Sequence, residues 1–165
     1  MTGFLSKARH HHIHVFVDDA SDLTYAHHTG STDVSEAIEA KEACERETCK
    51  YGKEVRHMHA DNGTHACEGY KDATHEKKQS LTCCGVGAHF QNGKAENRIK
   101  TMAASARTTL INGMHKWPGV VTPSLWPFSV STSTRNRNKF KLDSNGTNAE
   151  ERLSGIKLDK KNYSI

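Results

Sequence analysis

The sequence is short of the residues that build large apolar cores. Of 165 residues only 35% are hydrophobic and 7% aromatic, and the mean hydropathy is −0.75. No run approaches the ~18 consecutive apolar residues of a membrane-spanning helix, which excludes such a helix. Met1-Thr2-Gly3-Phe4-Leu5 lacks a charged region followed by an apolar stretch, so no secretory signal is read there. The five cysteines are odd in number and follow no regular spacing. That is the usage of reduced thiols in an intracellular protein, nuclear or cytoplasmic, rather than of a disulfide framework. Internal repeats are absent. Extreme charge is absent too, with 25% charged residues and a net of +4, so charge-driven disorder of the whole chain is not expected. What remains is the size of one domain, or of a domain with a tail.

The charge is unevenly divided. Residues 1–93 carry ten Lys/Arg against fourteen Asp/Glu, a net of −4; residues 94–165 carry thirteen against five, a net of +8. A basic half joined to an acidic half points to a polyanionic partner near the basic half.

Ile13-His14-Val15-Phe16-Val17 and Leu23-Thr24-Tyr25-Ala26-His27-His28 flank an Asp/Ser-rich turn and read as a β-hairpin. Asp33 with Glu36 three residues on marks a helix start, Val34, Ala37, Ile38 and Lys41 share one face, and Gly52 closes the helix. Glu54 to Ala60 reads as a strand ending in the turn Asp61-Asn62-Gly63. The polar stretch 64–79 holds at most one short helix, and 80–85 reads as another strand. The longest helix begins near Lys94, with Ile99, Met102, Ala103, Ala106 and Leu110 as its apolar stripe and Gly113 as its end. Arg98, Lys100 and Arg107 are expected to point away from that stripe. Trp117-Pro118 and Leu125-Trp126-Pro127-Phe128 are expected to pack a final helix. The Ser/Thr/Asn/Arg/Lys-rich residues beyond 129 read as a tail. The organisation expected is a His-rich lead-in over 1–12, a domain over 13–129 and a basic polar tail over 130–165.

Two acids are candidates for chemistry. Asp61 sits at a strand tip and Glu96 in the first turn of the long helix, 35 positions later. Carboxylates so placed converge on a hard divalent ion if the helix packs beside that strand. The plainer alternative is that Asp61 starts a turn and Glu96 favours a helix N-terminus. The tract His10, His11, His12 and His14 reads as an exposed strand lead-in, since its spacing does not complete a zinc ligand set. Cys44, Cys49, Cys83 and Cys84 read as buried thiols.

Asp61-Asn62-Gly63, followed by Gly85-Val86-Gly87-Ala88-His89-Phe90-Gln91-Asn92-Gly93-Lys94-Ala95-Glu96-Asn97-Arg98, closely resembles the integrase catalytic core of Copia-type LTR retrotransposons. In that family a D-N-G turn precedes a Q-N-G-x-A-E-R segment, and their acids are the second and third of a D,D-E active site. Val15-Phe16-Val17-Asp18-Asp19-Ala20-Ser21, Ala106-Arg107-Thr108 and the two Trp-Pro pairs look like the family as well, from about Val15 to about Phe128.

The resemblance implies an α/β, ribonuclease H-like mixed sheet flanked by helices, and DNA strand transfer with Mg²⁺ or Mn²⁺. It makes Asp61 and Glu96 the catalytic metal ligands and sets Lys94, Arg98 and Lys100 against DNA phosphates. DNA is the expected partner, with no membrane, and a homo-oligomer is compatible with the family. The sequence also departs from the pattern. The family's first catalytic Asp lies on a preceding, central strand; residues 1–14 contain no acid, and Asp18 matches a non-catalytic turn acid. The expectation is a core whose first strand is missing or rudimentary, truncated at its N-terminus, able to bind DNA and impaired in catalysis. Two alternatives stand beside it: an enzyme whose first acid is Asp18 or Asp19, and a non-enzymatic metal-binding or interaction remnant of a transposable element.

Overall fold

The computed structural model describes residues 6, 9–85 and 92–157. The hairpin forms as expected: β1 (His12–Val17) and β2 (Thr24–Thr29) pair antiparallel, with Val15 opposite Ala26. Its two faces differ because side chains alternate along a strand. Ile13, Val15 and Ala26 face one helical layer and pack on Met102, Ala106, Trp126 and Val130, which form the apolar core. The opposite face meets α1 (Val34–Cys49), whose Ala37, Ala40, Ala43 and Cys44 are buried. Small residues there let the helix approach the strands closely. Lys41 is fully buried and reaches Glu45 at 2.6 Å. Glu45 in turn accepts from Lys77 and Gln79, tying α1 to the segment that follows α2 (Glu68–Glu76).

A second two-stranded sheet joins β3 (His57–Ala60) to β4 (Ser80–Cys83) in parallel, with α2 as the crossover that parallel pairing requires. Among the described residues no strand links the two sheets. The remaining helices are α3 (Gly93–Lys116), α4 (Trp126–Phe140) and α5 (Ala149–Ser154). None of the described helices is long and apolar enough to cross a membrane.

Four expectations are corrected. The buried residues of α3 are Arg98, Met102 and Ala106, while Ile99 is 44% exposed. The helix is therefore turned so that an arginine, not an isoleucine, enters the core side, and it runs three residues past Gly113. The break expected after 129 falls inside α4, so no tail begins there; α5 follows, and residues 158–165 lie outside the described set. Trp126 is buried at the start of α4, whereas Trp117 is exposed at the end of α3. His14 is buried rather than part of an exposed lead-in, because its position on β1 aims it toward His65 (ring centroids 5.5 Å apart).

The buried side of α4 is largely polar: Ser129, Ser133, Thr134 and Asn138 lie beside Trp126 and Val130. Buried hydroxyls and amides need partners. Thr134 Oγ1 donates to Val130 O, and Asn138 Nδ2 donates to Thr24 O while its Oδ1 accepts from Thr24 N–H. Asn138 thus takes the place of a neighbouring strand at the outer edge of β2.

Candidate metal and nucleic-acid site

Asp61 immediately follows β3, and its side chain is 55% exposed. Its Oδ1 faces His65 Nδ1 at 3.6 Å and the Gly63 N–H at 3.4 Å. The turn is fixed from its other side by Asn62, whose Nδ2 donates to Cys84 O at 2.6 Å. The D-N-G segment is thereby anchored to the end of β4, with a carboxylate left projecting into solvent.

Glu96 lies in the first turn of α3 and is exposed. The part of the motif from Val86 to Gln91 lies outside the described residues. The principal packing partners of α3 are α4 and β1, so its start sits beside the hairpin sheet. Among the described residues no three His, Cys, Asp or Glu side chains gather in a metal-ligating group.

The basic residues expected to meet phosphates separate into different roles. Lys100 is exposed. Lys94 is partly exposed and crosses to the hairpin turn, where it donates to Asp19 O (2.6 Å) and pairs with Asp19 Oδ1 (2.8 Å). That hydrogen bond, with the lysine's charge, holds the Asp19 carboxyl below the usual carboxylate range. Arg98 is corrected outright. It is only 5% exposed, and its guanidinium donates to Asp22 Oδ1 (2.5 Å), Asp22 O (3.1 Å) and Thr24 Oγ1. An arginine so enclosed and so fully bonded is a structural clamp between α3 and the hairpin.

Asp18 and Asp19, the alternatives for a first catalytic acid, are also engaged. Asp18 Oδ2 accepts from Ser21 N–H (2.7 Å) and Ser21 Oγ (2.6 Å), closing the turn. Asp19 is bound to Lys94. Asp18 thus performs turn chemistry, whereas Asp19 is an exposed carboxylate paired with α3.

The hub of this region is Asp22, which sequence reasoning did not single out. Its carboxylate meets Arg98, Arg137 Nη2 at 3.2 Å and Lys94 at 4.0 Å. Burial works against ionising it, but the Arg98 hydrogen bond and the three cations outweigh that and hold its carboxyl below the ordinary value. Asp22 also adopts φ +65°, a left-handed conformation that costs a non-glycine residue about 1 kcal/mol. These pairings span 76 and 115 positions of sequence, and no local motif signals them.

At the level of sequence, no protein-family model matches the chain, and none of the curated proteins does. Solved structures do match it. A chain of the simian T-cell lymphotropic virus intasome, in complex with the PP2A regulatory subunit B56 gamma, superposes with a TM-score of 0.69 at 18% identity, over 94% of this chain and 52% of that one. The present chain thus spans about half the length of that relative. The HTLV-2 integrase catalytic core in complex with magnesium, in its trimeric form, gives 0.61 at 14% identity, over 86% and 83% of the two chains. The catalytic core of BIV integrase gives 0.60 at 16%, over 87% and 86%. The two small sheets and flanking helices therefore make up the α/β, ribonuclease H-like fold of an integrase catalytic core.

Proposed function

We propose that the chain is an integrase-type catalytic core of the Copia retrotransposon kind that binds DNA and one divalent ion and does not transfer strands. The observation that carries this reading is the placement of Asp61 at the tip of β3 and Glu96 in the first turn of α3, within an integrase-core fold. The HTLV-2 core was solved with magnesium, and both acids offer the hard oxygen donors that Mg²⁺ and Mn²⁺ prefer. Their exposure leaves the remaining coordination positions open to water.

The donor set fits one ion better than two. A pair of divalent ions brings four positive charges, and two carboxylates neutralise half of that. Bound ions at such a site polarise a phosphodiester and activate the attacking hydroxyl. In this chain Asp61 and Glu96 hold charge and position, while the exposed Lys100 meets phosphates and Lys94 is held by Asp19. Asp18 is committed to the hairpin turn and Asp19 to Lys94, so a third acid is not supplied from there. By this reading the described residues hold two of the three acids that a D,D-E site uses.

A single labelled DNA duplex tests both halves of the proposal. Binding is expected to be weak and tolerant of sequence. It should fall steeply with salt, because neutralising several phosphates releases the same number of counterions. With Mg²⁺ or Mn²⁺ the duplex should yield no strand-transfer or 3′-processed product. Affinity that stays flat from low to physiological salt contradicts the DNA reading, and product formation abolished by Glu96→Gln contradicts the impairment.

A further inference from the structure

On the face formed by the hairpin turn, the end of α4 and α5 there is a cavity of about 150 Å³. Asp22, Arg137, Lys141, Leu142, Asp143 and Arg152 line it. Its carboxylates are already committed. Asp143 Oδ1 accepts from the N–H groups of Asn145 and Thr147, and its Oδ2 accepts from Thr147 Oγ1 and meets Arg152 Nη1 at 3.0 Å. Asp22 is one charge divided among Arg98, Arg137 and Lys94.

The cations are left in surplus. Arg137 Nε is buried and among the described residues has no hydrogen-bond partner, although its Nη2 reaches Asp22. Lys141 is exposed at the rim, and among the described residues no carboxylate lies within ion-pair distance of its ammonium. Arg152 is fixed by Ser21 O and Thr147 O, which orients its guanidinium at no further conformational cost. A buried guanidinium N–H without an acceptor is costly, and planar guanidinium groups match the oxygens of a phosphoryl group.

We propose that this cavity binds a phosphoryl group, with Arg137 and Arg152 as its floor and Lys141 as its rim. The site is separate from Asp61 and Glu96, so it stands or falls independently of the function proposed above.

The test is carried out on the full chain by following the arginine Nε–H resonances while inorganic phosphate replaces chloride at constant ionic strength. The Arg137 and Arg152 Nε–H signals should shift together and saturate with one midpoint. Lys141→Gln, at an exposed position where folding is not at risk, should raise that midpoint roughly threefold to fivefold. A shift that is linear in phosphate, a shift that chloride reproduces, or a midpoint unchanged by Lys141→Gln overturns the proposal. A short DNA duplex added at half-saturating phosphate identifies the source of the group. Competition assigns it to a nucleic-acid backbone; phosphate saturation without competition assigns it to a small phosphorylated molecule. Both results sustain the site.

Discussion

Arg98→Ala is expected to lower the stability of the fold by about 3–5 kcal/mol, the usual cost of removing one partner from a buried ion pair. The guanidinium is almost wholly enclosed and bonds the carboxylate and carbonyl of Asp22 and the hydroxyl of Thr24. Without it, the Thr24 hydroxyl loses its donor, and Asp22 keeps a strained backbone with one fewer cation to hold it. Domains of this size have about 5–15 kcal/mol in all, so the variant should approach global unfolding. Arg98→Lys should recover only a minor part, because an ammonium does not reproduce the fork of donors. Lys100→Ala, on the exposed side, should stay within about 0.5 kcal/mol of the parent. Urea denaturation of the three variants checks this. A stable Arg98→Ala protein with weakened DNA binding would return Arg98 to the role of a phosphate contact.

Acid should destabilise the protein well before its carboxylates titrate. His14 is buried, and burial first, then the neighbouring His65 and His27, lowers its pKa from the ordinary 6.5 to about 4; Glu36 opposes this weakly. His28, between His10 and Trp126, is lowered to about 4 by burial and by the His10 and His27 charges. Both imidazoles are neutral in the folded chain at pH 7, and among the described residues His14 Nε2 meets no hydrogen-bond partner.

The sign follows directly. A histidine whose folded pKa lies below its unfolded value binds fewer protons when folded across that window. Its contribution is complete above pH 6.5 and is lost as the pH falls toward 4. At pH 5 the loss is roughly 2 kcal/mol for each histidine. The carboxyls of Asp22, Glu45 and Asp143 are held below their ordinary values, the last at about 2, so they add their losses at lower pH. The urea midpoint should therefore drop between pH 7 and pH 5. His14→Phe, which keeps a ring against His65 and removes the ionisable group, should shrink that drop by about half. An unchanged drop would show that His14 does not titrate in this window.

The parts of the fold that were legible in the sequence are those where local chemistry and burial agree. Alternation and an Asp/Ser turn marked the hairpin, and Asp33 marked the start of α1; the helix ends at Cys49 with Lys50 as its cap, and Gly52, at φ +68°, lies in the turn beyond it. The turn at Asp61 and the start of the long helix stood where pattern and propensity placed them. What was illegible has a common cause, since polar side chains do the packing. Helix α4 buries Ser133, Thr134 and Asn138, so its hydrophobic periodicity is weak, and its Ser/Thr/Asn-rich sequence reads as a tail. Arg98 looked solvent-facing because charge is ordinarily exposed, and only Asp22, 76 positions away, accounts for its burial.

The candidate acids were legible for a different reason: a specific motif, not periodicity, singled out Asp61 and Glu96. Asp22 carried no comparable mark, because a residue that serves three distant cations has no short-range signature.

The central claim is that Asp61 and Glu96 hold one divalent ion between them. Titrating the isotope-labelled chain with substoichiometric Mn²⁺ and recording amide line broadening tests it most directly, because paramagnetic broadening falls off steeply with distance from the ion. The amides of Asp61 and Glu96 should broaden first and in parallel, and Glu96→Gln should remove the effect at both. Broadening centred on His10, His11 and His12 with Asp61 and Glu96 unaffected, or broadening of one acid alone, would contradict it.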